Sequence, residues 1–82
     1  MHHMFHAYIL RCADDTLYCG CTNDLVKRVH LHNHGKGGAK YTSGRRPVVL
    51  VYSQKFRTLA RARAVEAQWK RLSREEKLAL IR

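Results

Sequence analysis

Three side chains in the first half of the chain are of kinds that handle phosphate groups. Tyr18 stands in an alternating stretch typical of a β-strand, and Arg28 and His32 follow one helical turn apart. A guanidinium binds phosphate oxygens through a fixed fork of donors, and an imidazole can give or take a proton near neutral pH. A phenol can position water, but it acts as a base at neutral pH only where nearby cations lower its pKa of about 10.

The acidic residues add one more candidate. Turns and helix starts explain most of the six, namely Asp14, Asp15, Asp24, Glu75 and Glu76. Glu66 lies in the middle of a predicted helix among basic residues. Its simplest interpretation is an exposed pair with Lys70, worth about 0.3–0.5 kcal/mol. The alternative is an oxygen ligand for a divalent cation, completed by water and substrate phosphate.

Composition favours a polyanionic partner over a membrane. The 82 residues carry 16 Lys and Arg against 6 Asp and Glu, a formal net charge of +10. Such a charge on a small surface attracts nucleic acid. No apolar run approaches the roughly 20 residues that span a bilayer, and the first residues lack the apolar core of a signal peptide. We therefore expect a cytoplasmic protein with no membrane partner.

The length and the cysteines bound the architecture further. The length predicts one domain over residues 1–82, with residues 1–4 as a possible tag or disordered start. The 3 cysteines show no Cys-x-x-Cys spacing. Apolar packing in a reducing compartment fits them better than zinc or a disulfide.

The candidate residues depend on a predicted β-hairpin. Residues 5–12 and 17–21 alternate as strands, with a polar turn between them. If the loop consists of residues 14–16, Ala13 lies opposite Leu17, and Tyr8 and Tyr18 share a face. A slip of one residue puts the two tyrosines on opposite faces, so register decides whether they can cooperate.

Helices and a third strand complete the pattern. A helix over residues 24–34, capped by Asn23 or Thr22, buries a stripe of Leu25, Val26 and Val29 and holds Arg28 and His32 at its edge. A glycine-rich basic loop covers residues 35–47, and residues 48–52 form the most buried strand. A helix capped by Thr58 and running to about residue 72 follows, and then a shorter one from the capping box at residues 73–76. The order β-β-α-β-α-α predicts an α+β fold, a small three-stranded antiparallel or mixed sheet flanked by helices.

The joint pattern resembles the GIY-YIG nuclease family over nearly the whole chain. The two signature tripeptides are represented here by residues 6–8, His-Ala-Tyr, and residues 18–20, Tyr-Cys-Gly. The tyrosines and the final glycine remain, while the first glycine and both isoleucines are replaced. The motifs at residues 23–28, 35–42 and 70–77 resemble the small single-domain branch of that family. Asp15 stands where this branch commonly has glycine, and we expect the hairpin to tolerate it because Asp adopts left-handed backbone conformations readily.

The resemblance implies divalent-metal-dependent hydrolysis of phosphodiester bonds. It implies a catalytic set of Tyr8, Tyr18, Arg28, His32 and Glu66. In that set Glu66 binds Mg²⁺ or Mn²⁺, Arg28 binds phosphate oxygens, a tyrosine positions water, and His32 orients Tyr18 or shares in proton transfer. The basic loop is then the nucleic-acid-binding surface, through Lys36, Lys40, Tyr41, Arg45 and Arg46.

The substrate stays open at this point. We expect DNA rather than RNA, single-stranded or structured, with low sequence specificity, and a role such as DNA repair. A basic nucleic-acid-binding module without catalysis explains the charge equally well. A domain that works only within a larger repair or recombination assembly is a second alternative. Oligomeric state is not predicted.

Overall fold

A β-hairpin begins the fold, as predicted. The computed structural model describes residues 4–35 and 40–82. Strands β1 (Phe5–Arg11) and β2 (Leu17–Thr22) pair antiparallel. The turn closes with a hydrogen bond of 2.9 Å from the Cys12 N–H to the Thr16 carbonyl. Asp15 takes a φ of 69° there, so the expectation that Asp could replace glycine in this turn is confirmed.

The register keeps both tyrosines on one face of the sheet. Arg11 pairs with Leu17, and Leu10 pairs with Tyr18. The pairing of Ala13 with Leu17, which a three-residue loop would give, is therefore off by two residues. A shift of two preserves the face of every side chain, because side chains alternate with a period of two. Tyr8 and Tyr18 thus share a face, as the sequence analysis required.

The third strand lies at an edge of the sheet. β3 (Val49–Phe56) pairs antiparallel with β1, which gives the order β2-β1-β3. The prediction that this strand is the most buried was wrong, since Val49 and Leu50 are 50% and 37% exposed. The strand also continues past its predicted end at Tyr52. The central strand is β1. The β-branched run of β3 indicates a strand but does not fix its place in the sheet.

Four helices complete the described part of the chain, and three of them begin at a capping side chain. They are α1 (Leu25–His34), α2 (Lys40–Ser43), α3 (Leu59–Arg71) and α4 (Arg74–Ile81). The Thr58 cap of α3 and the capping box between Ser73 and Glu76 are confirmed. The cap of α1 is Asp24, whose carboxylate accepts from the Lys27 N–H at 3.1 Å, so the predicted caps at Asn23 or Thr22 were wrong. The one-turn helix α2 was not predicted.

The helices cover opposite faces of the sheet. One face buries Ala7, Ile9 and Cys19 against Trp69 of α3. The other packs Tyr8 and its neighbours against α1, in a cluster that includes Leu10, Cys12, Val48, Leu25 and Val29. Val26 is 83% exposed, so its predicted place in the buried stripe of α1 was wrong. Helix α1 therefore lies over the face that carries the two tyrosines.

This architecture confirms the predicted α+β class and makes the sheet antiparallel throughout. The element order is β-β-α-β-α-α with α2 inserted before β3. Across the described ranges, no helix has the length and apolar character needed to cross a membrane.

Candidate active site

The site begins with Tyr8, which lies directly opposite Gly20 on the neighbouring strand. The side chain of Tyr8 is almost fully buried, at 1% exposure. A Cβ atom built on Gly20 would lie 2.4 Å from both Cζ and the hydroxyl oxygen of Tyr8. Real Cβ contacts are never this short, so only glycine leaves room for the ring. The glycine of the second signature tripeptide is therefore explained by the tyrosine of the first.

A chain of hydrogen bonds runs from Arg28 into the interior. Arg28 donates to the Tyr8 hydroxyl. The same hydroxyl lies 3.0 Å from His32 Nε2, and His32 Nδ1 lies 2.8 Å from the hydroxyl of Thr42. His32 and Thr42 are both fully buried. The predicted edge position of His32 was wrong, because α2 and the sheet cover the imidazole completely.

Burial sets the protonation of this chain. Burial raises the pKa of Tyr8 to about 12, although the hydrogen bond from Arg28 acts in the opposite direction. Burial, with the nearby charges of Arg28 and Arg46, lowers the pKa of His32 to about 4. A tyrosine that acts as a base at neutral pH needs a lowered pKa, and Tyr8 does not meet that condition. At neutral pH Tyr8 is a phenol and His32 a neutral imidazole.

Tyr18 and Tyr41 extend the site toward the surface. The ring of Tyr18 meets His32 edge to face, with centroids 5.4 Å apart. Tyr41 stacks on Tyr18 at 5.5 Å and is 40% exposed. The Arg45 guanidinium lies over the Tyr41 ring, 4.1 Å from its centroid. An aromatic column therefore leads from the buried imidazole to the surface.

The two predicted loop arginines carry structural contacts. Arg45 pairs with Asp14 of the hairpin turn at 2.9 Å and donates to the Tyr41 carbonyl. Arg46 donates to the carbonyls of His32 and Gly35, at 2.7 and 2.8 Å, at the end of α1. These bonds fix residues 45 and 46, just ahead of β3, against the hairpin turn and the end of α1. Lys36 and residues 1–3 lie outside the described residues.

Glu66 belongs to the other helical layer. Helix α3, which carries it, packs against the sheet face opposite α1. The carboxylate is 18% exposed and pairs with Lys70 at 2.8 Å, which is the contact that the simplest interpretation predicted. Its charge is among the causes that raise the pKa of Tyr8, and Tyr18 is among the causes that raise the pKa of Lys70. The structure thus connects Glu66 to the tyrosines through charge.

A divalent cation fits this donor set only in part. Within residues 4–35 and 40–82, no group of three or more His, Cys, Asp or Glu residues could hold a metal ion. Glu66 offers one carboxylate, which already pairs with Lys70. Magnesium is commonly held by one or two carboxylates together with water and substrate phosphate. Among the described residues, Glu66 is therefore the carboxylate that could contribute to such a site.

A recess beside Arg28 adds Lys27, a basic side chain that was not singled out from the sequence. It has a volume of about 160 Å³ and is lined by Thr22, Asn23, Asp24, Lys27, Arg28 and Leu31. Lys27 and Arg28 give it two positive side chains, which the carboxylate of Asp24 offsets in part. Its position suits a phosphate oxygen approaching from solvent.

Two polar residues of the site were missed at the sequence level. Thr42 belongs to a motif quoted for the resemblance, but nothing in its neighbours indicates a buried hydroxyl. Asn33 bonds both backbone groups of Val48, its amide donating at 3.0 Å and its carbonyl accepting at 2.7 Å. That contact joins α1 to the start of β3. A polar residue next to His32 on α1 was the available signal.

Comparisons with known proteins found a matching family model and similar relatives. Residues 4–79 match the model of the GIY-YIG catalytic domain. The UPF0213 protein of Syntrophus aciditrophicus (strain SB) is 51% identical over 77 residues, covering 94% of this chain and 88% of that protein. The UPF0213 protein CPE1444 of Clostridium perfringens is 50% identical over 78 residues, covering 95% and 83%.

Solved structures with the same fold are similar over most of their length. The solution NMR structure of the UPF0213 protein BH0048 from Bacillus halodurans has a TM-score of 0.60 at 41% identity, covering 95% of this chain and 82% of that one. The solution NMR structure of the protein EF2693 from E. faecalis has a TM-score of 0.61 at 37% identity, covering 90% and 78%.

Proposed function

The chain belongs to the GIY-YIG family, whose catalytic domain implies nuclease activity, and from that premise we propose that it is a divalent-metal-dependent endonuclease acting on DNA. The observation that carries the proposal is the hydrogen-bonded chain of Arg28, Tyr8 and His32 beside a basic recess. The relatives' names state no substrate. DNA in single-stranded or structured form is the substrate that we propose.

Arg28 is the phosphate-binding group in this proposal. It lines the recess and also donates to Tyr8. A guanidinium has five N–H donors, so it can hold Tyr8 and a phosphate oxygen together. Negative charge grows on the phosphate oxygens during hydrolysis, and a fixed cation at this position lowers the barrier. Lys27, on the same recess, adds charge for the neighbouring phosphate.

The tyrosines orient the attacking water. The Tyr8 hydroxyl is fixed by Arg28 and His32, and its raised pKa of about 12 keeps it protonated at neutral pH. It therefore acts as a hydrogen-bonding group in the ligand-free protein. Tyr18 packs against His32 on the solvent side of Tyr8 and is the second hydroxyl available to a water molecule. Proton removal follows only when bound cations lower a phenol pKa.

Glu66 is the proposed ligand for the cation, Mg²⁺ or Mn²⁺. Such an ion, when bound, supplies polarisation of the scissile phosphate and stabilisation of the leaving oxygen. In the structure the Glu66 carboxylate pairs with Lys70. We expect the Glu66 carboxylate to exchange Lys70 for the cation when substrate phosphate approaches, because the phosphate oxygens can accept hydrogen bonds from the Lys70 ammonium. Metal affinity should then be weak without nucleic acid and stronger with it.

The outer surface supports a substrate of low sequence specificity. Lys40 and Tyr41 are exposed at the mouth of the site. Lysine contacts to phosphate carry no sequence information, and aromatic rings stack on any base of a single strand. We propose that Lys40 and Tyr41 bind the strand next to the scissile phosphate. Arg45 and Arg46 contribute positive charge to the same surface while holding their structural bonds.

The deciding experiment compares substrates and a carboxylate variant. Purified protein is incubated with single-stranded, duplex and branched DNA, and with RNA, each with and without magnesium. We expect magnesium-dependent cleavage of DNA, which Glu66→Gln abolishes while DNA binding persists. Glu75→Gln, on an exposed carboxylate of α4, is the matched control and should cleave normally. Cleavage by Glu66→Gln at the wild-type rate would remove Glu66 from the mechanism.

One observation favours the alternative of a binding module without catalysis. The pair between Glu66 and Lys70 is a complete structural interaction that needs no metal. In that case the protein binds nucleic acid equally well with and without magnesium and releases no fragments from any of the substrates.

A further inference from the structure

We infer that Thr42 is a positioning residue of the site, whose hydroxyl fixes the tautomer and ring orientation of His32 and, through it, the hydroxyl of Tyr8. Thr42 itself need touch no substrate. Its effect on catalysis rests on the proposed nuclease function. Its effect on the imidazole does not, and it can be measured in protein without substrate.

The geometry places Thr42 at the inner end of the hydrogen-bond chain. Its Oγ1 lies 2.8 Å from His32 Nδ1, and both residues are fully buried. The next link joins His32 Nε2 to the Tyr8 hydroxyl at 3.0 Å. Both ring nitrogens are thus engaged, one by each hydroxyl. These two contacts fix the tilt of the ring, but each hydroxyl can donate or accept, so the tautomer depends on what the hydroxyls bond in turn.

The direction of these bonds follows from Arg28. A guanidinium can only donate, so the Tyr8 oxygen accepts from Arg28. The single phenolic hydrogen then points to His32 Nε2, which accepts it. A neutral imidazole carries one hydrogen, which must sit on Nδ1 and is donated to Thr42. The chain is satisfied when His32 is the Nδ1–H tautomer.

The helix that carries Thr42 presents this side chain alone to the interior. Thr42 is the buried residue of α2, while Lys40, Tyr41 and Ser43 are exposed. A buried hydroxyl is unfavourable unless it is hydrogen-bonded, and valine has the same shape without that requirement. A threonine here is therefore explained by its bond to His32. The same helix carries Lys40 and Tyr41, so one short element links the outer surface to the inner tyrosine.

Nuclear magnetic resonance tests the tautomer directly. Correlation spectra through the ring nitrogens distinguish a protonated from an unprotonated nitrogen. We expect wild-type His32 to be protonated at Nδ1 only, and Thr42→Val to lose that preference. Thr42→Ser keeps a hydroxyl and should retain the wild-type tautomer. Ser43→Ala, whose hydroxyl bonds the Lys40 carbonyl in the same helix, controls for changes in α2 and should leave His32 unaltered.

Two spectra would overturn the inference. One is a wild-type His32 protonated at Nε2, which needs no variant and so stands even if Thr42→Val does not fold. The other is an unchanged tautomer in folded Thr42→Val. Either result contradicts the role of Thr42 whether or not the protein cleaves DNA.

Kinetics test the catalytic part on single-stranded DNA. Loss of a group that orients a functional histidine commonly lowers activity by about 10–100-fold. We expect Thr42→Val to lower kcat by that factor with KM unchanged. Thr42→Ser should keep kcat close to the wild-type value. Wild-type kcat in Thr42→Val with an altered tautomer would refute the catalytic part. A wild-type protein that cleaves nothing refutes the proposed nuclease function, while the spectra still decide the role of Thr42.

Discussion

Replacing Gly20 by alanine should damage both the fold and the site, because the ring of Tyr8 occupies the space that a methyl group needs. The added Cβ would lie 2.4 Å from Tyr8 Cζ and the hydroxyl oxygen, and 2.9 Å from Cε1. Comfortable contacts between such atoms are about 3.5–4.0 Å. The ring must therefore move by roughly 1 Å, or the two strands must separate by a similar amount.

The structure bounds the size of the effect. Tyr8 is 1% exposed, so the ring cannot swing into solvent without losing its packing. Overpacking of a well-packed interior typically costs about 1–3 kcal/mol. For a domain of this size, each kcal/mol lowers Tm by about 4–8 °C, which predicts a fall of roughly 5–20 °C. The displaced hydroxyl also leaves its 3.0 Å bond to His32, and a misplacement of about 1 Å can lower a catalytic rate about 100-fold.

Gly44→Ala is the matched control. A Cβ on Gly44 meets no heavy atom within 4 Å, and Gly44 has no positive φ. The same chemical change there should be neutral or stabilising by about 0.4–1 kcal/mol, because alanine restricts the unfolded chain. Thermal denaturation of both variants, with cleavage assays on the folded proteins, makes the comparison. Equal Tm values for Gly20→Ala and Gly44→Ala would refute the contact between Gly20 and Tyr8.

Three further predictions concern separate parts of the molecule. The pKa of His32 is about 4 in the folded protein and about 6.5 in the unfolded chain. The unfolded chain therefore binds the extra proton, and the free energy of unfolding falls by up to roughly 3 kcal/mol as pH drops from about 6.5 to 4. Denaturant titrations across that range check this, and a flat profile contradicts it. Asp15→Ala should destabilise the turn by about 1–2 kcal/mol because of the left-handed backbone. Asp15→Gly should be nearly neutral despite the loss of the exposed pair with Arg74. Equal melting temperatures for the two variants would contradict this. Lys40→Ala should lower the slope of log affinity against log salt by about 0.7 on single-stranded DNA, and an unchanged slope in binding titrations would remove Lys40 from the interface.

Local signals in the sequence were enough to predict most elements and the class of the fold. The Thr58 cap and the capping box at Ser73 lie beside the helices that they begin, so their patterns are read within a few residues. Alternation left the shared face of Tyr8 and Tyr18 dependent on register, and the register of the structure, two residues from the one that a three-residue loop gives, keeps them together. The resemblance through the tyrosines, Gly20 and the following helix led to the family that the comparisons show.

Errors arose where burial depends on residues distant in the chain. The apolar residues of β3 read as a central strand, yet the order β2-β1-β3 makes it an edge. Val26 continues the apolar pattern of α1 but faces solvent. Neither outcome has a local cause, because strand order and helix orientation are set by which surfaces pack together.

The sequence by itself determined which residue types are present, their periodicity and their family. Only the tertiary structure decided that His32 is buried between Tyr8 and Thr42, and that Glu66 approaches from the opposite face of the sheet. The physical reason is that a side chain's pKa and hydrogen-bond partners come from neighbours in space, which the chain supplies from three separate elements. Spacing along the sequence records none of those contacts.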